Sequence, residues 1–190
     1  MNTYSEEIRE EDFAELIRQN NHAAMKTLYN KYIRYLTAVC SRYLDNEDDV
    51  RDVLQDTFMK IFSSIGNFVY RGNGSLKSWL AKITVNETLG FIKRNGRLEF
   101  VPIDNENLDV ENEEPEIDNI PLSAIQNMIR ELPPGYRTIF NLYVFEDKSH
   151  KEIASILNIK ESTSASQLHR AKAILADKIR KFQLLTDFAR

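Results

Sequence analysis

Ser149-His150-Lys151-Glu152-Ile153-Ala154-Ser155-Ile156-Leu157-Asn158-Ile159-Lys160-Glu161-Ser162-Thr163 decides the fold. Ser149 followed three residues later by Glu152 forms a capping box, which starts a helix. Ile153, Ala154 and Leu157 are spaced to turn inward on that helix, and Ala154 is small where two helices must cross closely. Asn158 is one of the few residues other than glycine that accept a left-handed conformation at a helix end. Ile159 plugs the corner, and a second helix opens with Glu161, Ser162 and Thr163. The layout is a helix-turn-helix, whose second helix enters the DNA major groove N-terminus first. Its outer positions are expected to be Ser162, Thr163, Ala165, Ser166, Gln167, His169, Arg170 and Lys172. Leu168, Ala171, Ile174 and Leu175 take the opposite side, which directs Ser166, Gln167 and Arg170 toward the groove. Hydroxyls, an amide, an imidazole and cations suit base edges and phosphates. A helical hairpin within a core has similar spacing, but the basic charge of the surrounding segment disfavours it.

Outward from this motif, helical periodicity runs through most of the chain. Residues 12–20 place Phe13, Leu16 and Ile17 on one face. A longer helix carries Ala24, Leu28, Tyr32, Tyr35, Leu36, Val39 and Tyr43. The acidic break at 45–49 is suited to cap a helix over 48–65, with Val50, Val53, Leu54, Thr57, Phe58, Ile61 and Phe62 as its apolar stripe. Gly72-Asn73-Gly74 marks a loop, and 75–93 is again helical. Residues 100–121 lack this period and carry Pro102, Pro115 and Pro121. Further helices are expected over 122–132, 136–145, 149–157 and 162–182. No segment reads as a strand, so the fold class is all-α.

Charge divides the chain in the same places. Residues 1–99 are neutral, residues 100–121 carry eight acids and no base, and residues 122–190 carry a net charge of +4. Two small helical domains, 1–99 and 122–190, joined by an acidic flexible linker at 100–121, account for this pattern. No window approaches the roughly 18 apolar residues of a membrane span, and the start of the chain is acidic rather than a signal peptide. The lone Cys40 has no disulfide partner within the chain, so a cytoplasmic location is the expectation. His22, His150 and His169 are scattered, away from carboxylates or Cys at ligand or triad spacing. Neither an enzyme, nor a metal, nor a cofactor is expected.

Three motifs in order carry a family resemblance. Leu132-Pro133-Pro134-Gly135-Tyr136-Arg137, the helix-turn-helix and Gln167-Leu168-His169-Arg170-Ala171-Lys172 together resemble the fourth region of extracytoplasmic-function (ECF) sigma factors of bacterial RNA polymerase. Asp49-Val50-Arg51-Asp52-Val53-Leu54-Gln55-Asp56-Thr57-Phe58 resembles the polymerase-binding helix of their second region. Ser78-Trp79-Leu80-Ala81-Lys82-Ile83-Thr84-Val85-Asn86, with Phe91-Ile92-Lys93-Arg94, resembles their promoter-melting segment. The resemblance spans about 13–182.

It implies a sigma factor that directs core RNA polymerase to promoter DNA and is held in check by an anti-sigma inhibitor protein, with no insertion into membranes. Asp49, Asp52, Gln55, Asp56 and Phe58 would dock on the polymerase. Trp79, Lys82, Asn86, Phe91, Lys93 and Arg94 would handle the minus-10 element, with Asn86 near a flipped base. Trp79 also has core spacing with Leu76, Leu80 and Ile83, and a buried role is the stronger reading for it. Arg137, Ser162, Thr163, Ser166, Gln167, His169, Arg170 and Lys172 would serve the minus-35 element. Four positions depart from the family pattern: Arg51 replaces an acid, Ser164 an apolar residue, Ala165 a Lys and Gln167 an Arg. The linker resembles the family's connector through the polymerase cleft; a plain tether is the alternative. A stand-alone helix-turn-helix regulator with a helical sensor domain is the competing function, but it gives no reason for an Asp/Gln face on the front domain.

Overall fold

The computed structural model describes residues 8–96, 98, 116–118 and 120–188, the last two by backbone only. Most of the acidic segment 100–121 lies outside the described residues. Every regular element among the described residues is helical. The chain divides into two compact units, Met1–Arg94 and Asn95–Arg190.

In the first unit, α1 (Phe13–Arg18) buries Phe13, Ala14 and Ile17. Asn20, at φ 57°, turns the chain, and Asn21 caps α2 (His22–Cys40) by accepting from the Ala24 N–H at 3.0 Å. The cap of α3 (Glu47–Ser64) is Asn46, whose side chain accepts from Asp48 N and Asp49 N. The acids expected to cap it occupy the first turn instead, where Glu47, Asp48 and Asp49 meet the positive end of the helix dipole. A 3-10 turn, Ile65–Asn67, follows. Gly72 and Gly74, at φ 109° and 83°, then reverse the chain into α4 (Ser75–Arg94).

Leu28, Leu36, Ile61, Leu76 and Leu80 fill the centre of this unit. Thr84 and Thr88 lie in the same interior and donate to the carbonyl oxygens of Leu80 and Thr84, so their hydroxyls are satisfied within α4. Glu10 binds the unit together in a way the sequence does not advertise. One of its carboxylate oxygens accepts from Gly74 N at 3.0 Å and Leu76 N at 3.4 Å; the other accepts from the Tyr32 hydroxyl at 3.2 Å. A carboxylate from the start of the chain thereby serves the open N-terminus of α4. Burial, then the facing carboxylate, pushes the Tyr32 hydroxyl up to about 12.

In the second unit, α5 (Leu122–Arg130) is followed by α6 (Pro134–Val144), with Pro134 in the first turn, where its missing N–H costs nothing. Next come α7 (His150–Leu157) and α8 (Glu161–Phe188), the last running six residues past its expected end. Met128, Ile129, Leu132, Tyr136, Ala171, Leu175 and Ile179 form a core that also takes in Ile120. The far end of the acidic segment thus belongs to this unit rather than to a tether, and the Gln183 amide donates to the Glu116 carbonyl at 2.6 Å.

The capping box of α7 is complete. Glu152 N donates to Ser149 Oγ at 3.3 Å, and Ser149 N donates to the Glu152 carboxylate at 2.9 Å. The Ser149 N–H, then the Ser149 hydroxyl, which also donates to that carboxylate at 2.9 Å, and then Lys148 lower the Glu152 carboxyl from 4.5 to about 2. A carboxyl lowered by folding contributes stability above its unfolded value and loses it as pH falls through its folded value. Glu152→Ala is therefore expected to melt below wild type at neutral pH, with the gap closing between about pH 5 and pH 2. A gap constant across that range would remove the carboxylate from the account.

Candidate nucleic-acid interface

The joint between α7 and α8 determines which way α8 faces. Asn158 sits at φ 56° and ψ 50°, the left-handed conformation that ends α7, and Ile159 N returns to the Ala154 carbonyl at 3.0 Å. Three residues after Asn158, α8 begins. Its inward line is Ser164, Gln167, Leu168, Ala171 and Leu175, all buried. Its outward line is Ser162, Ala165, His169 and Lys172, all exposed. Thr163, Ser166 and Arg170 are half-buried on the flanks, and Ser166 Oγ donates back to the Thr163 carbonyl at 3.0 Å.

Two expected minus-35 residues are turned inward. Gln167, read from sequence as facing the groove, is 2 % exposed. It stands one turn from Ser164 and one from Ala171, on the same inward line, which therefore reaches one residue further around α8 than the apolar spacing indicates. Arg137 is 3 % exposed, and its guanidinium donates to the carbonyl of Arg130 at the end of α5. A cation there meets the negative end of the α5 dipole and holds the α5–α6 corner.

On α4, Trp79, Lys82, Asn86 and Lys93 share the side opposite the core, and Lys82, Asn86, Lys93 and Arg94 are exposed. Trp79 is half-buried with its ring centre 5.6 Å from that of Phe68. Phe91 is half-buried and lies about 140° around the helix from Asn86. Asn86 stands about 16 Å along α4 from Ser75, well away from the glycine loop.

Beside that loop the structure holds a feature the sequence did not reveal. A cavity of about 360 Å³ is lined by Tyr70 and Asn73 of the loop, Lys31 of α2, and Ile8, Arg9, Glu10 and Glu11. The Tyr70 hydroxyl donates to Asn73 Oδ1 at 3.1 Å. Arg9 pairs with Glu11 and Asp12 on its rim. The Gly72-Asn73-Gly74 signal locates the loop, but Ile8 to Glu11 reach it across some 60 residues of sequence, beyond the range of local patterns.

On α3, Asp52, Gln55 and Asp56 are exposed and Asp49 is half-buried. Phe58, expected to dock on polymerase, is 5 % exposed and packs on Tyr29 and Phe62 at 4.6 and 5.9 Å between ring centres. The exposed apolar side chain on this face is Met59, 65 % exposed and one turn beyond Gln55 and Asp56. Arg51 pairs with Asp48 at 2.8 Å, so the base at this departing position is engaged within its own helix.

Comparison with known proteins gives two family matches, in chain order. Sigma-70 region 2 matches residues 28–98, and Sigma-70, region 4 matches residues 122–175. The ECF RNA polymerase sigma-E factor of Haemophilus influenzae is 28 % identical over 191 residues, covering 92 % of this chain and 97 % of that protein. The ECF RNA polymerase sigma factor SigE of Mycolicibacterium smegmatis is 30 % identical over 172 residues, 88 % of this chain and 61 % of that protein. A solved sigma factor RpoE from Bartonella quintana, in complex with the anti-sigma factor NepR, is 20 % identical with a TM-score of 0.48, over 82 % of this chain and 96 % of that one. With α2 to α4 matched to region 2, α5 to the middle of α8 matched to region 4, and relatives aligned over most of its length, the chain belongs to the sigma-70 family as an ECF sigma factor.

Proposed function

We propose that this sigma factor, in the cytoplasm and without catalysis of its own, brings core RNA polymerase to promoters by three surfaces. The observation that carries the reading is the single outward line Ser162, Ala165, His169 and Lys172 on the first half of α8, directly after a left-handed joint. That line presents a hydroxyl, a methyl, an imidazole and a cation to the minus-35 major groove, with Thr163, Ser166 and Arg170 at its edges. On the first unit, the cavity beside Tyr70 and Asn73 takes one unstacked minus-10 base, since an amide and an aromatic ring suit a flipped base. Lys82, Asn86, Lys93 and Arg94 hold the strand backbone along α4. The α3 face of Asp52, Gln55, Asp56 and Met59 docks on the polymerase, the acids setting register and Met59 supplying apolar area. An anti-sigma protein is the further partner, and exposed Tyr143, Val144 and Phe145 at the end of α6 offer it an apolar anchor.

The direct test adds the purified chain to core polymerase on promoter libraries. Promoter-dependent transcripts are expected. Dimeric binding to duplex promoters with no effect on transcription would support a stand-alone regulator instead.

Asp52→Lys with Met59→Ala is expected to weaken core binding by roughly 2–4 kcal/mol, as for central interface residues, without lowering Tm. Phe58→Ala is expected to destabilise the chain by about 3–5 kcal/mol, as for a buried aromatic. Titration against labelled core polymerase and denaturant unfolding separate the two; equal core affinity for wild type and the double variant would move docking elsewhere.

Lys172→Ala is expected to weaken all promoters alike and to reduce the salt slope by about 1. Gln167→Ala is expected to lower stability while leaving the ranking of minus-35 sequences unchanged. A changed ranking for Gln167→Ala would show that it reads a base and that the inward orientation is wrong.

A further inference from the structure

Ser164 is fully buried on the inward line of the recognition helix, at a position where the sequence departs from an apolar residue. A hydroxyl in that setting requires a partner. The partner is His150, the first residue of α7, whose Nδ1 lies 3.0 Å from Ser164 Oγ. The same imidazole stacks on the ring of Tyr143 in the last turn of α6, with ring centres 4.9 Å apart and planes 26° from parallel. One side chain therefore touches the helix before and the helix after its own. Its own helix is anchored at that end by the Ser149–Glu152 capping box.

We propose that His150 is a positioning residue for promoter recognition. It fixes the roll of α8 through a directional hydrogen bond to Ser164, and so sets which atoms of Ser162, Ala165 and His169 meet the minus-35 bases. Apolar contacts tolerate small rolls, because dispersion and burial depend weakly on angle. A hydrogen bond does not, because it weakens steeply once bent or stretched. A roll of about 20° moves a side-chain tip at about 6 Å radius by about 2 Å. That displacement breaks a 3.0 Å bond to Ser164 and shifts a base contact on the far side by a similar amount. The Tyr143 stack holds the imidazole plane and thus the direction of the bond. Base selection on the outer face of α8 is thereby coupled to a polar contact on its inner face.

The inference rests on α8 reading the minus-35 element, and the experiment keeps the two apart. Holoenzyme containing the full chain is used to select from promoters with a randomised minus-35 element. Wild type is compared with His150→Phe, which keeps the stack and removes the bond, with Ser164→Ala, and with the double variant. His150→Asn, which returns a polar group near the position of Nδ1, is the rescue. Each single variant is expected to lose about fivefold on the best site, the size of one net hydrogen bond, and to change the ranking of bases. The double variant is expected to lose no more than either single one, because both remove the same contact. His150→Asn is expected to restore the ranking. Thermal melts of each variant report folding separately. Losses that multiply in the double variant, or a lowered Tm with an unchanged ranking, would overturn the positioning role and leave the pair as packing alone. If wild type selects no minus-35 sequence, the groove reading of α8 fails, and the positioning role with it.

Discussion

The second unit depends on how α8 is seated. Its inner line of Ser164, Gln167, Leu168, Ala171 and Leu175 must be buried against the preceding helices, and once that line is placed, Ser162, Ala165, His169 and Lys172 are left outward, with Glu161 exposed at the start of the helix. The left-handed Asn158 makes the seating possible, because a right-handed residue there would continue α7 instead of turning into α8. The capping box fixes the other end of α7, so a helix of only eight residues, too short to be stable alone, is held at both ends. The side chains that α8 presents outward are set by packing on the opposite side of the same helix.

The first unit solves a related problem at the start of α4. Four N–H groups at a helix start need acceptors, and no side chain at the start of α4 supplies them all. Glu10 provides a carboxylate from outside the helix, meets Gly74 N and Leu76 N, and takes the Tyr32 hydroxyl on its other oxygen. Glu10 and its neighbours Ile8, Arg9 and Glu11 also line the cavity beside Tyr70 and Asn73. The residue that closes the helix end thus also lines the pocket proposed for the unstacked base.

Much of this was legible in the sequence where local rules carry the information. The all-helical class followed from periodicity, the turn from Asn158, the capping box from Ser149 and Glu152, and the two regions from motif order. The roll of α8 is only partly legible: the spacing of Leu168, Ala171, Ile174 and Leu175 locates the inner side but does not show that it extends to Ser164 and Gln167, both polar and both buried. The assignment of Arg137 to the minus-35 element comes from the resemblance, whereas a cation beside the α5 carboxyl end has a structural use. Phe58 lies on the apolar stripe of α3, so its burial was available from spacing, whereas its assignment to docking came from the resemblance. Met59 interrupts a polar face, and spacing alone gives no signal for its exposure. Glu10 lies more than 60 residues from its partners on α4, and nothing local signals that contact.

Promoter reading as proposed requires the outward line of α8 to face DNA. Tethered cleavage measures this directly: a cutting reagent is attached at Ala165→Cys in a Cys40→Ser background, and holoenzyme is bound to a promoter. Strong cutting centred in the minus-35 major groove is the predicted result. Normal transcription with no cutting at the minus-35 element would contradict the account, because it would place the outward line of α8 away from the DNA.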